Sequence, residues 1–391
     1  MTASLSYAVD LTRRLVMCPS VTPAEGGALT LLEAELTQLG FDVAWLPFGE
    51  GAARIQNLYA FRPARDDGAA PHLAFAGHTD VVPVGDEAAW QFGPFQGAIS
   101  DGRLYGRGTA DMKGGIACFI AAIKEADSQG IKTGPLSLII TGDEEADAIH
   151  GTVKMVQWMQ QQQITPDFCL VGEPTNPTEM GEVIKNGRRG SLTGKLTVVG
   201  TQGHVAYPHL ANNPVPALLA MLAPVNSAAL DGGNDHFDPT MAQIVDLQIP
   251  DAAGNVIPNR AFGQFNIRFN TEHSQDSLMG WLNEHFTRIA DETGTSYEIE
   301  WVCNAHPFVT EPGAPIAALQ SAIEAHTGRQ ASLSTGGGTS DARFICHICP
   351  VAEFGLVGQT MHQIDEHVAV EDIDTLAAIY TSFLRISCEA S

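Results

Sequence analysis

The chain has 391 residues, 44% of them apolar, which is more than a single hydrophobic core usually holds and points to two domains. Its formal charge of -24 argues against nucleic acid and anionic membranes as partners, and any anionic substrate needs a local cluster of the 21 lysines and arginines. Residues 1–16 lack the cationic start and apolar core of a signal peptide, and no run is apolar enough to span a bilayer. The seven scattered cysteines fit free thiols, so a cytoplasmic protein is expected. Cys346 and Cys349 have the spacing of a redox or zinc-knuckle pair, but no second ligand pair lies near them in sequence, and buried thiols are the expectation.

Leu29, Leu32, Leu36 and Leu39 recur at helical spacing in 28–39 and stop at Gly40. Strands are expected at 42–45 and 57–61, followed by a polar loop at 62–71. Leu73 to Ala76 is wholly apolar, as a strand buried on both faces should be. A helix at 114–128, a strand at 136–141, a helix at 152–162 and a strand at 168–171 continue an alternation that implies a mostly parallel α/β sheet flanked by helices. The pattern then changes. Leu192, Gly194, Leu196 and Val198 alternate along a half-exposed strand, followed by a helix at 214–230, strands at 241–249 and 261–269, a helix at 276–293 and a strand at 297–302. This order describes a two-layer α+β unit inserted at 189–302 between the two parts, 1–188 and 303–391, of the α/β domain. Helices at 314–326 and 371–384 and a strand at 351–354 complete that domain.

Chemistry-bearing residues gather where these strands end. His78 and Asp80 follow the run 73–76, Glu144 and Glu145 follow the strand ending at Thr141, and Glu173 follows the one ending at Val171. His362 lies in the loop after 351–354, and Asp111 sits in a glycine-rich stretch before the 114–128 helix. In parallel sheets, ligands gather beyond the carboxyl ends of the strands. Any one of these acids alone reads as a cap or turn residue. Together they form an imidazole and carboxylate set suited to divalent metal, with His78 and Asp111 as first candidates. Of the adjacent pair Glu144 and Glu145, one would ligate and the other serve as general base. Asp80 is placed to bond the second nitrogen of His78.

Three motifs, Gly77-His78-Thr79-Asp80-Val81-Val82-Pro83, Leu104 to Gly114 and Asp143-Glu144-Glu145, resemble the di-zinc aminoacylase and carboxypeptidase family, and the likeness runs along essentially the whole chain. Further stretches, 171–175, 185–191, 202–208 and 336–341, are similar to a narrower group within it. The resemblance implies an amide hydrolase with two zinc ions per subunit, one of them replaceable by cobalt. His78 and Glu173 would hold one ion, Glu145 and His362 the other, with Asp111 as the bridge and a cis peptide after it. Glu144 would be the general base and Asp80 the partner of His78. His204 would be an oxyanion donor reaching a partner subunit's site, making the inserted domain a dimerisation domain and the protein a homodimer. Arg188, Tyr207, Asn255, Arg268, Gly338 and Thr339 would contact a small anionic substrate. On charge alone Arg189 is as good a candidate as Arg188. The family often carries glycine where Ala146-Asp147 follows the glutamate pair here. The alternatives are a family member with another substrate preference and, from a different class, a non-catalytic dimeric binding protein.

Overall fold

The computed structural model describes residues 5–65, 70–227, 229–250 and 253–389. Part of the expected 62–71 loop, and residue 228 in the expected 214–230 helix, therefore lie outside the described residues. The chain divides into two compact units, one of residues 1–186, 310–334 and 340–391, the other of 187–309 with 335–339. These limits differ by a few residues from the expected 189–302. The last long strand of the smaller unit runs on to Ala305, and Phe308–Val309 pairs with Gly187–Arg188.

The larger unit is built on an eight-stranded sheet in the order Asp42–Trp45, Leu58–Arg62, Leu136–Thr141, Leu73–His78, Phe168–Val171, Val351–Glu353, Val183–Lys185, Ser332–Ser334. Its three central strands pair in parallel and are buried along their whole length, which explains their unbroken apolar runs. The Gly114–Ser128 helix covers one face, with Phe119 stacked on Phe75 at 4.3 Å between ring centroids. Each such phenylalanine contributes about 1.5–3 kcal/mol by burial. The helix lies so close to the sheet that a Cβ on Gly115 would sit 2.3 Å from the carbonyl oxygen of Gly172. Glycine at 115 thus brings the start of this helix against the loop that carries Glu173.

Several elements lay outside the sequence expectations, most of them short or at an edge. The Tyr7–Val16 helix is capped by Ser6, whose Oγ accepts from Val9 N at 3.2 Å. The Ala98–Ser100 and Arg103–Tyr105 hairpin pairs with His367–Ala369, and Val183–Lys185 and Ser332–Ser334 close one side of the main sheet.

The smaller unit is a four-stranded antiparallel sheet, Met241–Gln248, Arg260–Phe269, Gly190–Val199, Ser296–Ala305, with the Pro214–Ser227 and Gln275–Thr293 helices packed on it. Two glycines make room for aromatic rings across the central strand pair: Gly190 stands opposite Phe269 and Gly194 opposite Phe265. Ser274 and Ser277 form a reciprocal N-terminal cap on the second helix, and Gly294 ends it at φ +64°. Among the described residues no disulfide joins the cysteines, and no helix is long and apolar enough to cross a membrane.

Candidate active site

His78 is the last residue of its strand and is buried. The neighbouring parallel strand, in register with it through His78 and Thr141, leads into Asp143, Glu144 and Glu145. On the other side Phe168–Val171 leads into Glu173, and Asp111 lies in the tight turn Thr109–Lys113 before the 114–128 helix. Parallel neighbours end on one edge of a sheet, so these side chains converge.

His78 Nε2 lies 3.1 Å from Asp111 Oδ1 and 3.7 Å from Glu173 Oε1. His362 Nε2 lies 3.2 Å from Asp111 Oδ2 and 2.8 Å from Glu145 Oε1. Asp111 thus turns one oxygen to each imidazole, with Glu173 beside the first and Glu145 beside the second. The peptide bond after it, Asp111–Met112, is cis. Donor atoms of His78, Asp111 and Glu145 lie within 4.8 Å of one another, and so do those of His78, Glu144 and Glu173. Distance alone therefore leaves Glu144 within ligand range too; what separates the two glutamates is the contact of Glu145 with His362.

The electrostatics reflect this crowding. Burial raises the Glu144 carboxyl to about 8, the charge of His78 pulls it back, and Asp341, Glu145 and Asp111 push it further up. Burial and the charge of Asp111 lift Glu173 well above the usual carboxylate range. For Asp111 burial acts upward too, but hydrogen bonds from His362 and His78 outweigh it and hold the group below its ordinary value. Contacts with Asp111 and Glu145 carry His362 to about 10. His78 is raised as well, because Asp111 and Glu173 overcome the cost of burying its charge. Without metal, protons on the imidazoles and carboxyls offset the mutual repulsion. Divalent cations would offset it as well, and the imidazole nitrogen and carboxylate oxygen donors are those that zinc-type ions accept.

The surrounding residues explain how the donors are held. His78 Nδ1 donates to the main-chain oxygen of Asp80 at 2.9 Å, whereas the Asp80 carboxylate is 3.7 Å from that nitrogen. This departs from the expected carboxylate–imidazole bond. The Asp80 carboxylate instead accepts from the main-chain N–H of Glu144 at 3.1 and 3.2 Å, of Glu145 at 3.0 Å, and from Thr22 Oγ1 at 2.9 Å. Both loops leave adjacent parallel strands, so the carboxylate meets the N–H groups of the next loop. Asp143 turns away from the cluster and accepts from the main-chain N–H of Ala148, Ile149 and His150 at 2.8 to 3.3 Å.

Sequence reasoning assigned no role to Asp341, which accepts from Thr152 Oγ1 at 2.7 Å. Its other oxygen is buried without a partner, and its charge acts on Glu144. Its place in the 336–341 stretch was the available signal. Arg107 and Glu366 were missed as well; their pairing spans 259 positions and leaves no local pattern.

The remaining expected residues lie in the smaller unit. His204 and Tyr207 are exposed, with ring centroids 5.7 Å apart, and the carbonyl of Asn255 accepts from Val205 N at 3.2 Å. His204 Nδ1 accepts from Ala206 N at 3.1 Å, which leaves Nε2 to carry the proton. Arg188 is buried, and its Nη1 donates to the carbonyls of Gly338 at 3.0 Å and Gly336 at 3.4 Å, bracing the turn before Thr339. Arg268 lies on the helix-free face of its strand, where partial burial and the charge of Arg189 lower its pKa.

An α/β sheet that gathers imidazoles and carboxylates at its strand ends, with a second α+β unit inserted in the chain, has the architecture and donor set of a metal-dependent hydrolase. The sequence profile of Peptidase family M20/M25/M40 matches residues 74–386, and the chain belongs to that family. It is 50% identical to the succinyl-diaminopimelate desuccinylase of Gluconacetobacter diazotrophicus over 98% of each chain. It is 51% identical to that of Rhodopseudomonas palustris over 97% of each. Among solved structures, aminopeptidase PepT from Bacillus cereus superposes with a TM-score of 0.80 at 20% identity, covering 97% of this chain and 98% of that one. The M20 family metallo-carboxypeptidase Sso-CP2 from Sulfolobus solfataricus gives 0.78 at 16% identity, covering 98% and 100%. These two likenesses concern the fold.

Proposed function

We propose that the protein hydrolyses the amide bond of N-succinyl-LL-2,6-diaminopimelate, releasing succinate and LL-2,6-diaminopimelate, with two divalent metal ions bound at the strand ends. Zinc is the proposed metal in both positions, with cobalt able to replace one. The observation that carries the metal assignment is the orientation of Asp111, whose two oxygens face two different histidines. His78 and Glu173 would hold one ion, Glu145 and His362 the other, and Asp111 both. The roughly 50% identity to named desuccinylases over nearly the full length supports the substrate.

Bound there, the ions would lower the pKa of a water and polarise the amide carbonyl. Glu144 takes the proton from the attacking water and returns it to the departing amine, a task suited to a carboxylate that stands beside His78 and Glu173 without contacting His362. Asp80 keeps the 144–145 main chain in place while this happens. His204, with its proton on Nε2, is the proposed donor to the oxyanion, reaching a partner subunit's site. Arg268 and Arg188, with Tyr207, Asn255, Gly338 and Thr339, are the proposed contacts for the substrate's polar groups. Arginine's fork suits carboxylates. Arg188 and Gly338 are already hydrogen-bonded to each other, so they would act as one unit.

A homodimer fits the exposed apolar side chains of the smaller unit: Met241, Val245 and Leu247 on its edge strand and Leu219 on the Pro214–Ser227 helix. We propose a cytoplasmic enzyme, a location that cysteines outside disulfides fit.

The test is a comparison of kcat/KM for N-succinyl-LL-2,6-diaminopimelate, N-acetylornithine and dipeptides with the zinc-loaded protein. The succinylated compound is expected to be the preferred substrate. Preference for either of the others would move the assignment to another deacylase or peptidase of the family, and no hydrolysis of any would favour a binding protein.

A further inference from the structure

Arg107 stands four residues before Asp111, and Glu366 four residues after His362. Both are buried, 2% and 0% exposed, and they pair at 2.7 Å between Nη1 and Oε2. A buried ion pair adds little to stability by itself, because desolvation consumes most of its Coulombic gain. What sets this one apart is where its other polar atoms go.

Glu366 Oε1 accepts from the main-chain N–H of Gly108 at 3.0 Å, of Ala110 at 3.0 Å and of Asp111 at 3.4 Å. Its own carbonyl accepts from Gly106 N at 2.9 Å. Arg107 reaches the other way: Nη1 donates to the carbonyl of Gln363 at 3.1 Å and Nη2 to that of His362 at 3.4 Å. Each side chain therefore holds the main chain of the opposite loop, and each grip includes a candidate ligand. The His362 backbone lies at φ +62°, in the left-handed region that residues with a side chain seldom occupy unless their surroundings hold them there. Trp90 packs against the Arg107 guanidinium, with its ring centroid 5.2 Å away.

We propose that Arg107 and Glu366 form a reciprocal clasp that presents Asp111 and His362 together to one ion. They are positioning residues for the metal on the His362 side. The proposal rests on the two-ion reading above. Glu145, the other donor on that side, is held independently by Asp80, so the clasp sets only the Asp111–His362 half of that position.

The experiment compares wild type, Arg107→Lys, Glu366→Gln and His362→Ala. Zinc content and affinity are read by chelator competition, and the visible spectrum is read on the cobalt-loaded proteins. Arg107→Lys keeps the charge but loses the fork; Glu366→Gln keeps an acceptor oxygen but loses the charge. Each is expected to bind the ion on the His362 side about 10- to 100-fold more weakly and the ion on the His78 side, which shares Asp111 but keeps His78 and Glu173, with a smaller loss. At one equivalent of cobalt their spectra should match that of His362→Ala. Excess zinc should restore turnover in both clasp variants but not in His362→Ala. Two ions held at wild-type affinity, or both weakened to the same extent with or without loss of the fold, would overturn the clasp. Fewer than two ions on wild type, or two on His362→Ala, would overturn the two-ion reading and the clasp with it.

Discussion

Glu144 and Glu145 are chain neighbours, and the fold gives them different surroundings. Glu145 contacts His362 at 2.8 Å, whereas Glu144 is within ligand range of His78 and Glu173 and is raised to about 8 by burial, an effect that Asp341 reinforces. Two bound cations would lower that pKa and leave Glu144 charged and ready to accept a proton. Glu144→Ala is therefore expected to keep both ions and lose about 10²- to 10⁴-fold in turnover, measured by metal analysis and kcat on the same preparation. A parallel loss of metal would instead make Glu144 a ligand. Asp80 illustrates a residue legible in position but not in contact. Its two-residue spacing from His78 marks it as a supporting carboxylate, yet the atoms it supports are the main-chain N–H groups of Glu144 and Glu145. Spacing within one segment cannot reveal a bond to a segment 64 positions away.

At the scale of elements, the readable parts were those whose pattern is local. The central strands are wholly buried apolar runs, and the strands of the smaller unit alternate because one face packs on helices, so both leave a period in the sequence. Four strand ends and one helix start could be located well enough to nominate His78, Glu144, Glu145, Glu173, His362 and Asp111, and the fold brings all six into one cluster. Short edge strands such as Val183–Lys185 and Ser332–Ser334 were not readable, because three residues cannot show a period and their pairing is set by tertiary context. The Arg107–Glu366 pair was hidden for a related reason. A buried arginine and a buried glutamate look like surface residues until the loops carrying them are brought together.

Across the larger unit, the carboxylate cluster makes stability depend on pH and on metal. Glu144 moves from an ordinary 4.5 to about 8, Asp341 from 3.8 to about 6, and His362 from 6.5 to about 10. All three shifts are upward, so between about pH 5 and pH 8 these groups hold more protons in the metal-free folded protein than in the unfolded chain; Asp111, held low by His362 and His78, acts below that window, and Lys113, lowered by burial to about 8, acts above it. The stabilisation from the three raised groups is complete below the unfolded pKa values and is lost as pH rises through the folded ones. The Tm of the metal-free protein should thus fall between about pH 5 and pH 8, while zinc should raise Tm and weaken that decline. A metal-free Tm that climbed across this window would contradict the charge picture. The most direct measurement of the central claim is anomalous diffraction at the zinc edge from crystals of the zinc-loaded protein. The account predicts two peaks per chain about 3.5–4 Å apart, one on each oxygen of Asp111, with His78 and Glu173 around the first and Glu145 and His362 around the second. A single peak, or two peaks that do not share Asp111, would contradict it.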